Sequence, residues 1–317
     1  MLAPHSHGGL ALSVPAALPV VEALSAADSS ASWATMIAVT SHTFCTRLPR
    51  ATYDRLYADH PDVVGVGVGT PVGRADKIDG GYRITGRWPF ASGCQNAQWI
   101  VGHCVLYQDG KPMMSGDGPL TGFFMLPAEC WRIEETWQAS GLTASGSHHI
   151  VLEDFHAPDA SAFDLMQGMS CVPGPFERLL RSLEPFTRRS PSESRLAPSP
   201  TSHPWPARAA ASFSRPPPCK ILRFSSTSSG GAAQRAARAL LDVQAANHWR
   251  RAVEGTLDGK ADFAESLQAS AWIHAACTGV VSACYTLGGS SVVLNTSPLQ
   301  RRLRDIHAAR QHIFAQE

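Results

Sequence analysis

The sequence has no apolar run near the roughly 20 residues that a bilayer-spanning helix requires. Leu10 to Val21 is apolar, but it follows His5 and His7 instead of a basic region and makes a poor signal peptide. An excess of one charge is also lacking: 27 Lys and Arg against 26 Asp and Glu leave a formal +1, with no general pull toward nucleic acid or membrane. The eight cysteines are scattered, without CxxC pairs or metal-ligand spacing, so a metal site is not expected. Reduced thiols in a cytoplasm are the default for such cysteine usage.

A chain of 317 residues, 44% of them hydrophobic, has ample material for a buried core in two domains or one multilayer unit. Helical patterns run over Leu18 to Ala27, with Pro19 tolerated in the first turn, and over Ser32 to Leu48. Short β segments follow near Val63–Val68, Tyr82–Trp88, Trp99–Tyr107, Gly122–Leu126, Trp131–Trp137 and His149–Phe155, which predicts a small barrel or sandwich. Gly65, Gly67 and Gly69 do not make a dinucleotide loop, because Pro71 and Gly73 follow where a helix would have to begin. Helices resume over Ala232–Thr256, Ala261–Leu287 and Pro298–Phe314, which predicts a bundle.

Within YRITGRWPFASGCQNAQW, Tyr82 to Trp99, strand alternation sets Trp88, Phe90 and Ser92 two apart and so on one face. Two aromatics and a hydroxyl suit a flat, redox-active ring that needs stacking walls and one hydrogen bond to a ring nitrogen. The plainer reading of the same residues is an amphipathic strand with core aromatics.

Together with TWQASGLTASGSHHIVLEDFHAP, Thr136 to Pro158, and PLQRRLRDIHAARQH, Pro298 to His312, this segment resembles the acyl-CoA dehydrogenase superfamily. Its flavin-dependent monooxygenase branch, with the oxygenase components of two-component aromatic hydroxylases and the dibenzothiophene monooxygenases, is the most similar. The resemblance covers Leu2 to about Leu183 and Ala236 to the end. Thr143 departs from it, since relatives often carry arginine there.

The resemblance implies an α+β multidomain fold. Residues 1–58 would be the remnant of an N-terminal helical domain, 59–170 a central β domain and 171–317 a C-terminal four-helix bundle. Met1 to Gly9 resembles a point already inside the first domain, so the opening helices are expected to be missing, through a misassigned start or a truncated gene.

The activity implied is hydroxylation of an aromatic or heteroaromatic small molecule by reduced flavin, FMN or FAD, and O2, with a flavin reductase as partner and a homotetramer as assembly. Ser92 would lie near flavin N5, and Trp88, Phe90 and the loop from Gly141 through Ser145 to Ser147 would line the ring. His312 and His42 are the acid/base candidates, able to take a phenolic proton near neutral pH. His148 and His149 read as turn and surface residues, and His103, His248, His274 and His307 carry no assigned role.

Two other activities stay open. An acyl-CoA dehydrogenase needs a glutamate base, but after Arg304 and Asp305 the chain offers His312, Ile313 and Phe314 where that glutamate often stands; Glu254 or Glu265 would have to replace it. The third is an inactive oligomerising remnant.

One segment does not fit. Thr187 to Gly231 holds eight prolines, seven basic residues and a single acid, Glu193, where the resemblance requires a long bundle helix. Its composition alone reads as a disordered linker. A shifted reading frame is instead able to encode helix-compatible residues over Arg188 to Ser202 and an inter-helix segment over Pro218 to Arg223, so the segment is expected to be frameshifted and irregular, and the chain a damaged copy.

Overall fold

The structure is a computed structural model that describes residues 1–116, 118–165, 168–181, 229–257, 259–312 and 315. Of the stretch expected to be frameshifted, all but residues 229–231 lies outside the described residues, as do Ile313 and Phe314.

Three helices open the chain: α1 (Val14–Ala27), α2 (Ser29–Cys45) and α3 (Arg50–Leu56). The starts of α1 and α2 follow from side-chain capping. Ser13 Oγ accepts the Ala16 N–H at 3.2 Å, and one Asp28 carboxylate oxygen accepts the Ser30 and Ala31 N–H groups, both at 2.9 Å. The caps move α1 and α2 ahead of the expected Leu18 and Ser32, so Pro19 is an interior residue of α1, not a first-turn one. The α2 helix stops at Cys45, short of Leu48, and α3 was not anticipated.

The β region comprises β1 (Gly65–Ile78), β2 (Gly81–Ala91), β3 (Trp99–Gln108), β4 (Lys111–Pro112), β5 (Met114–Ser115), β6 (Gly118–Pro119), β7 (Thr121–Pro127), β8 (Arg132–Glu134), β9 (His148–Pro158) and β10 (Ala162–Phe163). Eight of these form one mixed sheet in the order β10-β7-β3-β1-β2-β9-β8, with β4 paired to β3 and β5–β6 a separate hairpin. Within it β1 and β3 run parallel and the other pairs antiparallel. Where a small barrel or sandwich was expected, the described strands form one open sheet: its path ends on two short edge strands, β10 and β8, and the predicted Trp131–Trp137 strand contributes only Arg132–Glu134. The glycine run is part of strand β1, which continues through Pro71 with register shifts on either side of it.

Trp88 occupies the middle of this sheet. A Cβ on Gly73 would lie 2.1 Å from Trp88 Cζ2, one on Gly86 2.6 Å from its Cη2, and one on Gly102 3.1 Å from its Cε2, so three glycines open the space that the indole fills. Its Nε1 donates to the His103 carbonyl at 2.7 Å, and its ring meets Trp131 edge to face. A large ring with its one polar atom satisfied stabilises the core through its whole buried area.

After α4 (Pro175–Arg181) the described chain continues with α5 (Ser229–Glu254), α6 (Gly259–Leu287) and α7 (Pro298–Ala309). One apolar core unites Leu18 and Val21 of α1, Trp33 and Met36 of α2, Leu241 and Ala245 of α5, Ile273 and Cys277 of α6 and Ile306 of α7. A second core sets Tyr53, Leu56 and Tyr57 against Val101, Phe123 and Met125 of the sheet. The opening helices are thus wedged between sheet and C-terminal helices, and α2 faces both.

Candidate active site

Four distant stretches meet near the N-terminus of α2. Trp33, on α2, donates its indole N–H to Ser92 Oγ at 3.0 Å. Ser92, just past β2, is 2.7 Å from Ser147 Oγ, which is 2.8 Å from Ser145 Oγ. All three serines are buried. The Trp33 ring stands edge to face with His312, beyond α7, with ring centroids 5.4 Å apart at 74°. Burial and the neighbouring His274 draw the His312 imidazole down to about 4, so it is neutral, a proton acceptor, at neutral pH.

Ser145 and Ser147 stay in place because the loop that carries them is tied on three sides. Leu142 sits in the left-handed region at φ 51°, and its N–H donates to an Asp305 carboxylate oxygen of α7 at 2.8 Å. A Cβ on Gly141 would stand 2.1 Å from the Arg304 carbonyl oxygen, so only glycine permits this approach to α7. Ala144 N–H donates to Ser30 Oγ of α2, and Gly93 N–H donates to the Ser145 carbonyl at 2.8 Å, joining the loop to the turn after β2. Burial raises the Asp305 carboxyl above the usual carboxylate range, against the Leu142 and Ser29 hydrogen bonds that lower it.

The expected face of Trp88, Phe90 and Ser92 does not form. Strand alternation breaks at Phe90, whose φ is 66°, within a register shift of β2 against β9 between Trp88 and Ala91. Trp88 is sealed in the sheet core and Ser92 is buried at the loop, whereas Phe90 is 65% exposed. A bulky residue at such φ is strained, and strain of this kind clusters at functional sites. The Phe90 ring stands edge to face with Trp137 and His149, and Trp137 Nε1 donates to the Leu142 carbonyl at 2.9 Å. The exposed aromatic surface therefore borders the serine loop.

Ser92, Ser145, Ser147 and His312 are thus brought together around Trp33, which no sequence motif singles out. His42 is not part of this group. Nine residues beyond Trp33 on α2, it lies about 13 Å farther along the axis and on the opposite face. Its Nδ1 is 2.6 Å from the Tyr57 hydroxyl, and burial draws its pKa down to about 4. Glu254 and Glu265, the substitute bases of the dehydrogenase reading, are exposed and engaged by Arg250 and by Gln244. Thr143, the departure from the family pattern, is exposed on the loop.

Residues 230–317 match the acyl-CoA dehydrogenase C-terminal domain family. Over 135 residues the chain is 34% identical to the oxygenase component of the FADH2-dependent resorcinol hydroxylase of a Rhizobium species, which is 43% of this chain and 32% of that protein. Over 153 residues it is 36% identical to the indole-3-acetate monooxygenase of Pseudomonas putida, 48% of this chain and 38% of the relative. The matched stretch therefore spans well under half the length of these relatives.

Among solved structures, XiaF from Streptomyces in complex with FADH2 and glycerol superposes with a TM-score of 0.81 at 21% identity over 100% of this chain and 81% of its own. The 3-HSA hydroxylase from Rhodococcus gives 0.79 at 20% over 99% and 82%. The chain has the acyl-CoA dehydrogenase-like fold, and its sequence is similar to the oxygenase components of flavin-dependent two-component monooxygenases.

Proposed function

We propose that this chain is the oxygenase component of a flavin-dependent monooxygenase that hydroxylates an aromatic or heteroaromatic small molecule, with a separate reductase supplying reduced flavin. The observation that carries the reading is the hydroxyl chain Ser145–Ser147–Ser92 closed by Trp33, with neutral His312 against the same indole and an exposed aromatic surface at Phe90 and Trp137. These groups fit a flavin, which needs an apolar wall and a few directed polar atoms. Phe90, Trp137 and the Gly141–Ser147 loop would hold the ring, and Ser92 would supply a hydrogen bond to it.

When bound, reduced flavin supplies two electrons to O2, one oxygen atom entering the product and the other leaving as water. The chain's own residues exclude water and handle the proton. Burial of Trp33 and the serines keeps bulk water from the polar chain, and His312 takes the proton of a phenolic substrate, making its ring more nucleophilic. FMN and FAD both suit the arrangement.

Assembly as a homotetramer is part of the proposal. Val243, Val253, Trp272 and Leu287 are exposed on α5 and α6, apolar surface that association would cover.

Anaerobic titration with oxidised and reduced flavin tests the reading, followed by product analysis with reductase, NADH, O2 and a panel of phenols and indoles. Binding with hydroxylation is expected. Failure to bind either form leaves an inactive remnant, and reduction of bound FAD by an acyl-CoA would make the protein a dehydrogenase. Light scattering should give a tetramer; a stable monomer would refute that part.

A further inference from the structure

Outside the candidate active site, one cluster of side chains holds more acceptors than protons. It lies between the C-terminal part of α5 and the start of α6. His248 of α5 is buried, and its Nδ1 is 2.9 Å from the Gln244 carbonyl one turn earlier. A carbonyl only accepts, so Nδ1 carries the hydrogen, and in the neutral ring Nε2 presents its lone pair. That nitrogen is 3.7 Å from a carboxylate oxygen of Asp262, which is 2% exposed, and 3.4 Å from Ser266 Oγ. The Ser266 hydrogen is given instead to the Asp262 carbonyl at 2.9 Å. A separation of 3.7 Å is too long for a hydrogen bond, so no proton joins imidazole and carboxylate.

Glu265, one turn beyond Asp262, closes the third side. The ligand atoms of His248, Asp262 and Glu265 all lie within 4.8 Å of one another. The Gln244 amide donates to the Glu265 carboxylate at 2.7 Å, so the residue whose carbonyl fixes the His248 tautomer also holds Glu265. This leaves Gln244 Oε1 buried without a hydrogen-bond partner among the described residues, a further acceptor that lacks a donor. The positive charge at the cluster is Arg251, whose guanidinium donates to Asp262 and, at 2.7 Å, to the Thr256 carbonyl.

We infer that His248, Asp262 and Glu265 bind a first-row divalent cation of the zinc class, which clips α5 to α6. Two ligand atoms of a tetrahedral ion with bonds of about 2.0–2.2 Å stand about 3.4 Å apart, close to the 3.7 Å between His248 and Asp262. Glu265 is exposed, and a shift of about 1 Å brings its carboxylate into the same shell. One imidazole nitrogen with two carboxylate oxygens suits Zn2+, Mn2+ or Co2+, whereas Ca2+ takes oxygen alone and Cu+ favours sulfur. A carboxylate offers about four lone-pair directions, so Asp262 can serve the cation without releasing Arg251. The guanidinium then opposes the cation and limits its affinity.

Calorimetric titration of the full chain with Zn2+, and absorbance titration with Co2+, test the site. One equivalent per chain is expected, with a visible cobalt band and no near-ultraviolet thiolate band, because no cysteine is a ligand. Glu265→Gln, at an exposed position where folding is not at risk, should weaken binding at least about 10-fold, as should His248→Gln. Arg251→Gln should tighten it about 10-fold by removing the opposing charge, a gain that a purely structural ion-pair network would not show. Bound Zn2+ should raise the melting temperature of the parent and leave that of Glu265→Gln nearly unchanged, with far-UV circular dichroism reporting the folding of each variant. The inference is overturned by a parent without saturable binding, by a thiolate band, by unchanged affinity in both Glu265→Gln and His248→Gln, or by a folded Arg251→Gln that binds no more tightly than the parent. None of these outcomes depends on flavin binding.

Discussion

Ser92 and His312 both contact Trp33, one at its N–H and the other at its ring, and their removal should have different consequences. Ser92→Ala should leave flavin binding within a few fold, because the aromatic and loop contacts remain, but more of the O2 consumed should appear as hydrogen peroxide. His312→Ala should slow product formation by about 10² to 10⁴-fold, the usual span of a lost general base, without hastening flavin reoxidation. Rapid-mixing absorbance with peroxide and product assays separates the two; identical defects would refute the division of roles. Trp88 has a different importance. Trp88→Ala would leave a large cavity among Gly73, Gly86 and Gly102 and should destabilise the protein by about 3–5 kcal/mol in urea unfolding. The residue types of this segment were legible in the sequence, but their facing was not: alternation holds only while φ stays extended, and Phe90 leaves it.

At the scale of elements, α2 determines whether the site assembles, since it carries Trp33 and, through Ser30, one of the loop's anchors. Its start depends on Asp28, whose carboxylate takes two of the free N–H groups of the first turn. Asp28→Ala should cost about 0.5–2 kcal/mol of stability in thermal or urea melts, and should loosen flavin binding because the frayed turn includes Ser30. An unchanged melt would show that the cap is replaced by another group. The helices themselves were legible as apolar periodicity, whereas their ends were displaced because the caps lie outside the periodic segment. The seven-residue α3 is too short for a periodic signal. The strand expected over Trp131–Trp137 shrank to Arg132–Glu134 as the chain turned toward the loop docked on α7.

For the molecule as a whole, three histidines buried in different layers set an acid limit. Burial lowers His42, His103 and His312 from 6.5 to about 4 each. Folded, they stay neutral where the unfolded chain is already protonated, so unfolding takes up protons between these values. Their contribution to stability is present in full above pH 6.5 and is lost as pH falls through the window toward 4. Asp305 acts with the opposite sign, because its raised pKa makes the folded state bind its proton first as pH falls. Three groups outweigh one, and urea midpoints should fall between pH 7 and pH 4.5. A midpoint that stays flat over that range would show the histidines to be solvated.

The sequence by itself determined which of the long segments are strand and which helix, since periods of about two and 3.6 residues are local properties of the chain. It also marked Ser92, the Gly141–Ser147 loop and His312 as residues of interest through short motifs. Only the tertiary structure decided how they meet. Trp33 reaches Ser92 across 59 residues of chain and Ser92 reaches Ser147 across 55, and neither hydrogen bond has any local signature. The same packing sealed Trp88 among glycines, turned Phe90 outward, placed His42 on the far face of α2 and left the sheet open. Periodicity states which face of an element is apolar, but the partner that face finds depends on the whole fold.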